Sequence, residues 1–196
     1  MKRSHPSLGW HWVFNLSRKS QQQFSRSSAP AGRPPTEEDL KRLVGFYAVV
    51  TVAEGSKFGR EGGSGAIARI ASQVANIEEA ILQGIQFSDP GPALKAALDF
   101  ANFTKLTGMA STEVFEKAAS IAKTLGKEET AAHLIKSLAE IWFARSEYDT
   151  ARVRFKEALS LYRKLAYVRG EANCILGIGE IARARSLAAQ RCSSTL

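Results

Sequence analysis

The three histidines stand far apart. His5 and His11 lie near the start of the chain, and His133 sits alone in a helical stretch. A general base or metal ligand needs partners within bonding reach, and the sequence pairs none of the three with a second ligand or an orienting acid. Ser137 and Ser146 lack the histidine and acid pattern that would activate a hydroxyl. The pairs Glu78-Glu79 and Glu128-Glu129 read as helix caps or solvated faces. Cys174, among Ala172, Ile175 and Ile178, reads as a small packed thiol, and with Cys192 it makes neither a disulfide framework nor a metal spacing. The glycine cluster from Gly55 to Gly65 is the one stretch that could cradle phosphate. A P-loop needs Gly-Lys-Ser/Thr at its end, and no lysine follows these glycines. A dinucleotide reading through Gly63, Gly65 and Ala68 lacks the strand that must precede it. The sequence therefore predicts no catalysis, no cofactor and no bound metal: not an enzyme, but a surface.

That surface must be positioned by helices. From Glu128 to Val168 two apolar stripes meet at Ser146-Glu147-Tyr148-Asp149. The first carries Ala131, Leu134, Ile135, Leu138, Ile141 and Trp142, and the second Ala151, Phe155, Ala158, Leu159 and Tyr162. Steps of three and four mark helices whose stripes must be buried against something else. The stretch also repeats at a shift of 40 residues. Forward, Leu138 falls on Ile178, Glu140 on Glu180, Ile141 on Ile181 and Arg145 on Arg185; backward, Phe155 falls on Phe115 and Ala158 on Ala118. A fixed period with matched sizes predicts stacked helical hairpins.

Leu138, Ala139 and Trp142 in the first helix, with Ala151, Phe155 and Ala158 in the second, resemble the tetratricopeptide repeat (TPR). The family's helix-ending proline is replaced by Arg163, and the period is 40 rather than about 34. The resemblance implies a short TPR-like solenoid whose concave face comes from the first helix of each pair. By motif position that face holds Phe100 and Phe103, then His133, Lys136, Glu140 and Phe143, then Asn173, Glu180 and Arg183. Aromatic and charged residues together suit a peptide or partner helix. The alternative is that Phe100 and Phe103 pack against the preceding helix and leave no groove there. The stretch before the repeats, FGREGGSGAIARIASQVANIEEAIL, resembles the helical segment after the nucleotide-binding core of NB-ARC and NACHT-type signal-transduction ATPases, through Asn76-Ile77-Glu78-Glu79-Ala80-Ile81. The ATPase core has no counterpart, so nucleotide hydrolysis does not carry over. What the resemblance implies is a scaffold or sensor arm.

Three regions follow. Residues 1–35, rich in Ser, Gln, Arg and Pro, read as a disordered basic tail; residues 36–91 as a helical lead-in; residues 92–196 as the repeats, the last cut short. Charge divides similarly: residues 1–36 carry six basic side chains and no acid, 37–144 have a net charge of −3, and 145–196 of +5. The absence of acids and the Arg and Ser content of the tail fit a mitochondrial presequence; its basic residues beside Trp10, Trp12 and Phe14 fit contact with nucleic acid or an anionic membrane. The plainer reading is a solvated tail, a cytoplasmic protein and no nucleic-acid partner. The alternative function is binding to nucleic acid or an anionic surface through the tail and the basic C-terminal repeats. No run is long and apolar enough to span a bilayer.

In detail, Thr36 before Glu37, Glu38 and Asp39 reads as an N-cap, opening a helix to about Glu54, with a strand at Val49–Val52 as the alternative. Helices are expected over 66–86, 92–106, 111–125, 129–146, 148–166 and 170–186, with a firm break at Ser88–Pro92. At the C-terminal end, Ile178, Ile181, Ala182 and Leu187 are expected to form an open apolar patch. The short tail, with few apolar residues, is a poor cover for it, which favours self-association with a second chain or a continuation of the repeat.

Overall fold

The computed structural model describes residues 36–55, 61 and 63–193. The basic tail, most of the glycine loop and the last three residues lie outside them. All regular structure among the described residues is helical: α1 (Glu37–Gly55), α2 (Gly63–Ala71), α3 (Val74–Gly84), α4 (Gly91–Thr107), α5 (Thr112–Thr124), α6 (Glu128–Ala144), α7 (Tyr148–Lys164) and α8 (Val168–Ser193). The all-α fold of antiparallel hairpins read from the periodicity is the fold observed.

The N-cap of α1 is reciprocal. Thr36 Oγ1 accepts from the Asp39 N–H at 3.3 Å, while the Asp39 carboxylate accepts from the Thr36 N–H at 2.9 Å. Val49–Val52 is helical, because α1 lies along α4 and its stripe of Leu43, Val44 and Tyr47 is buried there. The helix expected over 66–86 is two helices. The chain turns at Ser72-Gln73, where the Gln73 N–H bonds the Ile70 carbonyl and the Ser72 hydroxyl bonds that of Arg69.

From α5 onward the chain is built of one module used three times. The helices end at residues in the left-handed region spaced 20 apart: Gly126 (φ 68°), Ser146 (φ 63°) and Ala166 (φ 54°). At each, the next residue's N–H reaches back five residues, Lys127 to Ala122, Glu147 to Trp142 and Tyr167 to Tyr162, all at 2.9 Å. The left-handed residue's own N–H reaches back three. This is the Schellman arrangement, and two modules make the 40-residue hairpin. Only the first turn has the glycine that a left-handed residue favours. Ala166→Gly should therefore stabilise the protein by about 0.5–1 kcal/mol, relief of the backbone strain outweighing the added chain entropy. A thermal midpoint that stays put or falls would contradict it.

Modules pack on their chain neighbours, α5 on α6, α6 on α7 and α7 on α8, while α4 and α6 also meet. Ion pairs lace successive repeats: Arg154 to Glu116 and Lys123 to Glu157 join α5 to α7. Burial pushes the Glu157 carboxyl up, but hydrogen bonds from Lys123 and Arg154 more than offset it and hold it below the usual range. Arg145 donates to the carbonyls of Gly108 at 3.1 Å and Ala110 at 2.8 Å, tying the end of α6 to the turn between α4 and α5.

Candidate partner-binding groove

The faces of α6 and α8 that lie beside each other enclose a cavity of about 260 Å³, lined by Lys136, Glu140, Phe143, Phe155, Asn173, Leu176, Gly177 and Glu180. Five of these are residues the sequence assigns to a groove. Arg183, a sixth, lies just beyond, in a depression it shares with Ile175, Leu176, Gly179 and Glu180. The 40-residue repeat explains the juxtaposition: Lys136, Glu140 and Phe143 share a face of α6, and Leu176, Glu180 and Arg183 hold the same positions one repeat on, with Asn173 at the position of His133.

Phe100 and Phe103 are not in it. Both are buried in the core, their rings stacked at 5.6 Å, with Phe100 also 6.0 Å from Phe115. The physical reason is α1: it packs along α4, so α4 is an interior helix where the repeat pattern alone makes it a groove wall. His133 stands aside as well. Its Nδ1 shares a 2.9 Å hydrogen bond with Tyr162 Oη, and its ring packs edge-on against Tyr162 and Tyr167. Burial holds the Tyr162 phenol well above its ordinary pKa, so the phenol is neutral at physiological pH.

The walls differ in how far their polar groups are satisfied. Lys136 Nζ bonds Glu140 at 2.7 Å, and Lys105 approaches the other oxygen of the same carboxylate at 3.4 Å. That trio sets two ammonium groups against one carboxylate, a net charge of +1 on this wall. Glu180, across the groove, makes no ion pair among the described residues, and Asn173 is exposed. The apolar ground is Phe143, the ring of Phe155 and Leu176, the last 65% exposed. Phe155, Leu176 and Gly177 are groove residues that the sequence reading misses. Phe155 reads as hairpin core, which it also is, being 3% exposed. A glycine within a helix, next to Leu176 and three residues on from Cys174, was the available sign of a close approach.

Cys174 is fully buried behind this wall, and burial raises its thiol to about 11, Lys136 pulling it down and Glu140 up. The thiolate is the reactive form. In a Cys192→Ser background, Cys174 should resist thiol reagents at pH 8 until the protein unfolds. Labelling at the rate of a free thiol would overturn this.

An all-helical repeat fold with a cavity between α6 and α8 is the class these features define. No known family model, curated protein or solved structure matches this chain.

Proposed function

We propose that the protein is a non-catalytic interaction module that takes a peptide or a partner helix in the groove between α6 and α8. The observation that carries this reading is the groove itself: a carboxylate without an ion pair among the described residues and an exposed amide beside partly exposed apolar side chains, on two neighbouring helices. Such a surface suits a segment that presents a basic side chain next to an apolar one. The TPR resemblance supports the same mode. The likeness to the arm of a signalling ATPase supports a sensor or scaffold role for it.

The rival reading, nucleic-acid binding through the basic C-terminal repeats, is weakened by how the basic groups are used. Lys164 pairs with Glu128, Arg163 with Glu171, Arg185 with Asp149, and Arg154 with Glu116 and Glu157. The basic tail belongs to the residues outside the description.

The test is selection from a displayed library of random peptides of roughly twelve residues, long enough to cross the groove at about 3.3 Å per residue. Selected peptides are expected to carry Lys or Arg beside an apolar residue. Asn173→Ala with Glu180→Ala should weaken them about tenfold or more, the equivalent of about 1.4 kcal/mol. Raising the salt should weaken them modestly, where a phosphate-contacting ligand would be lost steeply. Peptides that bind the double variant as well as the parent would remove the groove from the reading.

A further inference from the structure

Among the described residues, α8 differs from the other repeat helices in being covered on one side only. Its inner face, with Gly170, Cys174 and Ile181 buried and Gly177 half-buried, lies against α7. Ile178 and Ile181, expected to be open, belong to that covered side. The open stripe runs nearly half a turn away, through Val168, Ala172, Ile175, Leu176, Gly179 and Ala182, all exposed.

The repeat says what such a stripe is for. Moved back 40 residues, Ala172, Ile175 and Gly179 fall on Ala132, Ile135 and Ala139, which are buried in α6. α6 has a helix on each side: α5, placed as α7 is placed on α8, and α7, for which α8 has no counterpart. We propose that the open face of α8 is a docking site for a helix of a partner protein that carries the α7 stripe. That stripe is Ala, Phe, Ala and Tyr at the spacing of Ala151, Phe155, Ala158 and Tyr162. The docked helix runs antiparallel to α8, as α7 runs along α6, and continues an interface the fold already contains. A second copy of the chain is a poor occupant. Its own α7 stripe is buried, and two α8 helices paired antiparallel about Leu176 set Arg169 against Arg183 at both ends, a like-charge opposition. This site does not depend on the groove reading, although Leu176 and Glu180 border both.

The experiment uses the full chain and a fluorescent peptide spanning residues 147–167, with Arg152→Glu and a lactam from that side chain to Lys156 on its outer face so that it is helical beforehand. Saturable binding is expected. Ile175→Glu in the protein should weaken it about tenfold or more. So should Gly179→Gln, whose Cβ would meet nothing within 4 Å in the free chain, and so should Phe155→Glu in the peptide. Asn173→Ala, on the groove side of α8, should leave it unchanged. Absence of binding overturns the proposal, as does binding indifferent to both α8 substitutions. Self-association of the chain that Ile175→Glu abolishes would also overturn it, because the occupant would then be a second copy.

Discussion

Phe155→Ala is expected to destabilise the protein by about 3–5 kcal/mol, measured by denaturant unfolding with circular dichroism as the readout. The ring is buried at the point where three helices meet. It belongs to α7, it packs in the core cluster beneath α6, and its edge lies over the backbone of α8 at Gly177. Truncation removes the apolar contacts of a whole aromatic side chain. It also leaves a void that cannot close readily, because the helices on either side are held at their ends. The turns at Ser146 and Ala166 fix one end, and the pairs Lys164–Glu128 and Arg185–Asp149 bridge the others. A loss under about 1 kcal/mol would mean that the void collapses and that the 40-residue register does not describe the packing.

The second large effect concerns two glycines two residues apart in α8. A Cβ on Gly177 would lie 2.5–2.8 Å from ring atoms of Phe155, whereas a Cβ on Gly179 would meet nothing within 4 Å. In a helix interior, alanine is favoured over glycine by about 1 kcal/mol. Gly179→Ala should therefore stabilise the protein by nearly that amount. Gly177→Ala should instead cost about 1–3 kcal/mol, because the ring cannot give way without moving α7 from α8. The two substitutions probe one contact, so they should not add: once Phe155 is alanine, Gly177→Ala should become neutral or favourable. Equal effects at Gly177 and Gly179, or strict additivity with Phe155→Ala, would show that the close approach of α8 to α7 is not what the glycine serves. Gly170, whose Cβ would fall 2.5–2.6 Å from the Tyr162 ring, should behave as Gly177 does.

The sequence by itself determined what is local. Steps of three and four place the helices from α4 to α7 close to their observed limits, since each helix must turn one apolar stripe inward. Thr36 and Asp39 cap α1 through bonds within one turn of chain. The break at Ser88–Pro92 follows from residues that cannot continue a helix. The 40-residue shift is also visible, and with it the alignment that brings Lys136, Glu140 and Phe143 beside Asn173 and Glu180. Tertiary structure decided the rest, because it depends on which helix covers which face. Phe100 and Phe103 carry a groove pattern, yet α1, remote in sequence, packs along α4 and they are core. Ile178 and Ile181 read as an open patch, yet the approach of α8 to α7 over Gly170 and Gly177 turns them inward and leaves Ile175 and Leu176 outside. Ser146 and Ala166 hold a left-handed backbone with no glycine to announce it, because the packing of the helices on both sides fixes the turn and compensates the strain.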